Sequence, residues 1–128
     1  MKVCCSSVTM NIYFVDENTR RVIDHDTWIM NLDEANNSGN PRWYKLYNAK
    51  KEYGLTSLLP EDWSRLIDRM KNDSAIFELY YKNYHTDSPN WPVCDEKCKN
   101  KMLCSMRSGR SYDQEDLCKE LNVSKYYL

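Results

Sequence analysis

Three glycines and two histidines in 128 residues remove several kinds of chemistry at once. Gly39, Gly54 and Gly109 are too scattered to build a phosphate-cradling loop, which needs closely spaced glycines for the backbone to approach its ligand. His25 and His85 are too few for a histidine-rich metal centre, and no Ser-His-Asp arrangement or paired general-acid carboxylates stand out. No apolar run approaches the roughly 20 residues needed to cross a bilayer. The opening Met1-Lys2-Val3-Cys4-Cys5-Ser6-Ser7 lacks the apolar centre of an export signal. Neither sign of charge dominates: 18 basic against 19 acidic residues leave a net charge of −1. Nucleic acid and an anionic membrane are therefore poor candidates as partners.

What is present is cysteine, six residues, and aromatic side chains, with four tryptophans and ten tyrosines. The length fits one domain with a modest core. From Leu58 onward the apolar residues keep helical time: Trp63, Leu66, Ile67 and Met70 recur at three- and four-residue steps, and Phe77, Tyr81 and Tyr84 continue them. Trp63, Leu66, Ile67, Met70, Phe77 and Tyr81 are the expected core. Behind them come Cys94, Cys98, Cys104 and Cys118, spaced C-x3-C-x5-C-x13-C in a segment too polar to bury much apolar area. The fold class is mainly α, a small disulfide-stapled helical domain preceded by a β-hairpin.

In chain order, residues 1–10 form a leader with no clear pattern, in which Cys4 and Cys5 are bystanders, since adjacent cysteines bridge each other only with strain. Residues 11–33 read as the hairpin: Asn11-Ile12-Tyr13-Phe14-Val15 is strand-like, Asp16 to Arg20 turn-like, and Arg21 to Leu32 strand-like again. Two strands are not stable alone, so the hairpin must pack on something. Residues 34–121 are the helical domain. Asp33 to Asn40 is a polar loop. Pro41, with Asn40 as cap, opens a first helix whose face carries Trp43, Leu46, Tyr47 and Tyr53, and which stops at Gly54. Pro60 opens the second helix. Asn72 and Asp73 suggest a break before a third that ends near His85, although the rhythm also permits one long helix. Thr86 to Pro92 is a loop from which Trp91 folds back. Cys94 and Cys98 lie one helical turn apart if that segment is helical. Ser111 with Gln114 resembles a capping box for a short helix ending near Leu121. Residues 122–128 are a frayed tail.

Asp24-His25-Asp26 is the one tempting metal motif, and its spacing is wrong. On a strand the two aspartates share a side while the imidazole faces away. The four late cysteines lack the second knuckle or nearby histidines of a structural zinc site, so disulfides fit better, with three pairings open. N-glycosylation sequons stand at Asn36, Asn72 and Asn122, and they matter only if the chain enters the secretory pathway.

A resemblance runs through the same residues. Leu46-Tyr47-Asn48-Ala49-Lys50-Lys51-Glu52-Tyr53-Gly54-Leu55, Leu59-Pro60, Trp63, Arg69-Met70, Phe77, Tyr84-His85 and the four-cysteine block resemble the C-terminal domain of acid sphingomyelinase and its secreted phosphodiesterase relatives. Val22 to Leu32 is similar to the segment that precedes this domain, and together the matches cover roughly residues 11–121. The resemblance implies the pairing Cys94–Cys98 and Cys104–Cys118. It also implies a hairpin that resembles the end of a metallophosphoesterase catalytic domain, the expected partner. The parent would be a secreted or lysosomal, zinc-dependent enzyme hydrolysing sphingomyelin or a related phosphodiester. None of the family's metal-binding motifs is in this chain, so no cofactor, catalytic residue or metal ligand is expected here, and its role would be to brace the catalytic domain. The rival expectation is a free-standing secreted binding module, such as a saposin-like lipid or protein binder. Such domains tie their terminal helices together with cysteines from both ends, whereas these cysteines sit in the last third.

Overall fold

The computed structural model describes residues 7–86, 88, 91–108 and 114–121. Strands β1 (Ser7–Val15) and β2 (Val22–Asn31) pair antiparallel, in register from Ser7 opposite Asn31 to Phe14 opposite Asp24. The turn between them is built by Asp16, whose carboxylate accepts hydrogen bonds from Asn18 N (3.2 Å), Thr19 N (2.7 Å) and Thr19 Oγ1 (2.7 Å). Arg20 takes the left-handed conformation needed to close it, at φ 59°. The strand begins at Ser7, four residues before the sequence pattern places it.

Two segments differ from their sequence pattern. Asp33 to Asn40, expected as a loop, mostly lies in helix α1 (Leu32–Ser38). Asn31 accepts from Glu34 N, Asp33 and Glu34 suit the positive end of the dipole, and Gly39 closes the helix at φ 66°. The helix expected from Pro41 is instead strand β3 (Trp43–Asn48), paired with Asp26–Met30 of β2. Trp-Tyr-Lys-Leu-Tyr suits a half-buried sheet as well as a helix face, and the open edge of β2 decides between them. The register slips between Thr27 and Trp28, so Leu46 is the extra residue of a bulge. Only Ala49–Tyr53 is helical (α2), capped by Asn48 and ended by Gly54 at φ 60°.

The rest follows the pattern closely. Helix α3 (Pro60–Asn72) starts on Pro60. Asp73 ends it, its N–H donating to Arg69 O, and starts α4 (Ser74–Tyr84) by accepting from Ala75 N at 2.9 Å. Helix α5 (Glu96–Arg107) is capped by Asp95, and α6 (Gln114–Leu117) leads into a 3₁₀ turn at Lys119–Leu121. Ser111 lies outside the described residues.

One core joins α2 to the last turn: Tyr53, Leu55, Leu66, Ile67, Met70, Phe77, Tyr81, Leu103, Cys104, Cys118 and Leu121 are buried. Trp63 is a correction to the expected core, since it is half-buried at its margin, between the helices and the sheet. Cys104 is bonded to Cys118 inside the core and Cys94 to Cys98 at its edge, with Cα–Cα distances of 5.3 and 5.2 Å. Cys94 precedes α5 and only Cys98 lies within it. The larger loop, about 15 residues, contributes about 3 kcal/mol on a chain-entropy estimate. Sheet order is β1-β2-β3, so β1 is an edge.

Candidate functional site: an uncovered sheet

Strand alternation divides the sheet into two unlike faces. On the face toward the helices, the His25 ring lies 5.4 Å from Tyr13, 6.2 Å from Tyr47 and 6.5 Å from Trp63, with which it stacks. Tyr47 continues to Tyr53 of α2 at 5.6 Å. Thr27 Oγ1 donates to Asn11 Oδ1 across the strands at 2.8 Å. Tyr53 and Tyr80 both titrate above the ordinary phenol range because burial penalises the phenolate. Tyr80 is pushed up to about 12, with Tyr84 and Tyr47 adding to the shift.

The opposite face carries Val8, Met10, Ile12 and Phe14 of β1, all 39–43% exposed. Across from them stand Met30, Trp28, Asp26 and Asp24. Lys45 lies 5.9 Å over the Trp28 ring, and the buried Trp28 Nε1 has no hydrogen-bond partner among the described residues. An unpaired buried N–H typically costs about 1–3 kcal/mol, so this is an unfinished place in the fold.

The edge of β1 adds to this. Solvent-facing edges are usually blunted by charge, proline or bulges, because their free N–H and C=O groups template further pairing. Ser7–Val15 contains no charged residue and no proline, and its one irregularity is at its end, between Phe14 and Val15. Both faces of this strand are exposed from Val8 onward. It has the composition of an interior strand and the position of an edge.

Asp24 and Asp26 do share a side, and His25 faces the other way. Asn48 Nδ2 donates to Asp24 Oδ2 and Asp26 Oδ1, each at 2.9 Å, and Lys45 Nζ meets Asp26 Oδ2 at 2.9 Å. Hydrogen bonds from Lys45 and then Asn48 hold Asp26 below the usual carboxylate range. Burial alone would raise Asp24, but donors from Asn48, His25 N and Lys50 N outweigh it and the net shift is downward. These oxygens are already occupied by an amide, an ammonium and backbone N–H groups. Among the described residues no three His, Cys, Asp or Glu side chains come together as ligands. The residues present do not fit a zinc site.

The other expected positions are dispersed. His85 caps α4 with its ring 4.6 Å from Tyr81, and Trp91 stacks on it at 6.4 Å, returning from the loop toward α4. Tyr81 OH donates to Pro92 O at 3.0 Å. Asn36 is exposed on α1, and Asn72, exposed at the end of α3, donates its amide to Asp68 O. Asn122 lies outside the described residues. Two residues had no motif to mark them. Asn48 joins both aspartates while capping α2. Lys99 is 5% exposed on α5, and its place one turn before Leu103 on the apolar face is the only sequence signal for that burial. Among the described residues no helix is long and apolar enough to cross a membrane.

Comparison with known proteins adds relatives. The family described as acid sphingomyelin phosphodiesterase C-terminal region matches residues 2–126. Sphingomyelin phosphodiesterase of Bos taurus is 40% identical over 115 residues, which are 86% of this chain and 18% of that protein. The Homo sapiens protein of the same description is 36% identical over 115 residues, with the same shares. Human acid sphingomyelinase-like phosphodiesterase 3b is 32% identical over 98 residues, 77% of this chain and 21% of that protein. The chain thus spans about a fifth of the length of the curated relatives it matches.

Proposed function

The chain belongs to the family of acid sphingomyelin phosphodiesterase C-terminal regions, and from that premise we propose that it braces the catalytic domain of a longer phosphodiesterase rather than carrying out catalysis. In this reading residues 34–121 are the bracing domain, and the hairpin over residues 11–33 is the joint, which meets a metallophosphoesterase sheet through β1. The parent hydrolyses sphingomyelin or a related phosphodiester. Its zinc is held by residues outside this chain, and the chain alone is inactive. The parent is secreted or lysosomal, an oxidising setting that agrees with the two disulfides, and there Asn36, Asn72 and Asn122 become acceptors for N-glycans.

The observation that carries the reading is β1, an uncharged edge strand exposed on both faces beside the orphaned Trp28 Nε1. The test is reconstitution. The Bos taurus relative is expressed without its own C-terminal region and mixed with this chain. Co-elution of the two, lost on Ile12→Asp, is the expected outcome. Separate elution, or a complex indifferent to Ile12→Asp, would refute the proposed joint. Zinc-dependent phosphodiester hydrolysis by the chain alone, abolished by a chelator, would refute the bracing role.

A further inference from the structure

Strand β1 is complementary to itself. Asp16 N donates inward to Arg21 O at 2.8 Å, and along a strand the N–H and C=O groups of alternate residues point the same way. Ser7, Thr9, Asn11, Tyr13 and Val15 therefore turn theirs to the open edge, while the even-numbered residues bond to β2. The side-chain hydrogen bond between Thr27 and Asn11, 2.8 Å across the strands, agrees, because side chains approach most closely in pairs that exchange no backbone hydrogen bonds. Asn11 is the middle residue of the strand Ser7–Val15. A second β1 laid antiparallel about a two-fold axis at Asn11 sets the outward residues opposite one another: Ser7 meets Val15, Thr9 meets Tyr13, and Asn11 meets its own copy. Such a seam exchanges about ten backbone hydrogen bonds.

The same register matches the side chains. On the outer face Val8 falls opposite Phe14 and Met10 opposite Ile12, apolar against apolar at every position, and no charge of either sign enters the seam. The axis stands perpendicular to the sheet, so both outer rows lie on one face and both helical domains on the other. The helices leave room for this, since Thr9 and Asn11 are exposed on their side of β1 and Tyr13, whose ring reaches His25, is still 57% exposed. The other edge of the sheet is different. Strand β3 carries Lys45 and bulges at Leu46, two features that discourage further pairing. Association through β1 therefore closes at two copies instead of growing into a filament.

We propose that two copies of this chain pair through β1, Asn11 against Asn11, and join their two three-stranded sheets into one continuous antiparallel sheet. A contact one strand wide stays below the roughly 1,200 Å² at which standard interfaces begin, so the dimer is weak, with a Kd of about 10–500 µM. It uses the edge that the bracing reading gives to a catalytic sheet, and so belongs to the chain when no such partner is bound. It does not rest on that reading.

Sedimentation equilibrium of the 128-residue chain tests this, with Cys4→Ser and Cys5→Ser in place to exclude disulfide-linked copies. Between about 5 µM and about 2 mM, a range that brackets the expected Kd, the mean mass should rise from 15.3 kDa toward twice that value and stop there. Thr9→Pro removes an outward N–H without touching the pairing with β2. That donor occurs twice in a two-fold seam, so the variant, checked for folding by circular dichroism, should weaken the dimer at least about tenfold. Met10→Lys and Ile12→Glu, both at exposed positions, should each weaken it by a similar factor, because each brings like charges together near the axis. An equimolar mixture of these two variants should recover the dimer, since the register about Asn11 puts the introduced ammonium opposite the introduced carboxylate. Should Thr9→Pro fail to fold, this charge pair decides alone. A monomer throughout, growth beyond two copies, a dimer indifferent to the variants, or no recovery in the mixture would overturn the proposal. No catalytic domain is present in the measurement, so its failure is distinguishable from failure of the reconstitution.

Discussion

Replacing Asn48 should reveal how β2, β3 and α2 are tied together. Its amide nitrogen bridges Asp24 and Asp26 at 2.9 Å each, and its amide oxygen accepts from Lys51 N at 3.0 Å to start α2. Losing the cap costs about 1 kcal/mol, and each hydrogen bond to a carboxylate about 1.5–3 kcal/mol before water re-solvates the exposed part, so Asn48→Ala should cost about 2–4 kcal/mol at neutral pH. Asn48→Ser keeps a cap acceptor without the bridge and should recover about 1 kcal/mol of that. The bridge also predicts a pH signature. Both aspartates titrate lower in the folded chain than in an ordinary carboxylate, so their stabilisation is present above the unfolded pKa and is lost as pH falls through the folded one. Removing Asn48 moves both folded values back up, leaving the variant less to lose in acid. The gap between wild type and Asn48→Ala should therefore be widest at neutral pH and narrow toward about pH 2.5. Urea unfolding followed by circular dichroism at several pH values measures it. A gap of constant size across that range would refute the assignment of the bridge to ionised aspartates.

Leu103→Ala should cost about 2–5 kcal/mol, since Leu103 of α5 is fully buried in the core, whereas Val93→Ala, at a side chain open to water, should change stability by less than about 0.5 kcal/mol. Equal effects in urea unfolding would contradict the placement of the core. Joint replacement of Cys104 and Cys118 by alanine should cost about 3 kcal/mol, and of Cys94 and Cys98 less, because the smaller loop restrains the unfolded chain less. Thermal unfolding with and without reductant would detect the reverse order. Trp28→Phe removes the buried Nε1 that has no partner among the described residues, a gain of about 1–3 kcal/mol set against the lost packing of a larger ring, so the isolated chain should be close to neutral to it. A loss above about 3 kcal/mol would mean that this N–H is satisfied after all.

The helices from Pro60 to Tyr84 were legible because each boundary carries its own chemistry: a proline at the first helical position, and Asp73 serving as stop and start. Gly54 was legible for the same reason, as an end that needs a left-handed residue. Trp43–Asn48 was not, because its residues carry a helical face and a strand face equally well, and the choice lies with β2, whose paired residues stand 13 (Met30 with Trp43) to 22 (Asp26 with Asn48) positions earlier in the chain. Helix α1 was hidden by its polarity; it has no buried residue to set a period, only a cap at each end. Trp63 keeps the helical rhythm, yet its ring stacks on His25 of the sheet, a contact that a helical period cannot foresee. Asn48 and Lys99 matter through partners 22 or more residues distant, Asp24, Asp26 and Phe77. No local pattern encodes such a pairing.

The two halves of the chain differ in how far they complete themselves, and that difference supports the division of labour proposed here. Every member of the main buried cluster lies between Tyr53 and Leu121, and a disulfide closes that cluster from within. The sheet contributes no residue to it. Its fully buried apolar side chain is Ile29, while the apolar row of β1 stays in water. A hydrophobic strand at an open edge favours association with another strand, and nothing in its own composition discourages it. The helices bury Leu66, Met70, Leu103 and Cys104 fully among themselves, whereas the outer row of β1, Val8, Met10, Ile12 and Phe14, is left 39–43% exposed. A brace must be rigid away from the joint and adhesive at it, and the sequence distributes its cysteines and its uncharged strand in that order, staples at one end and the open edge at the other.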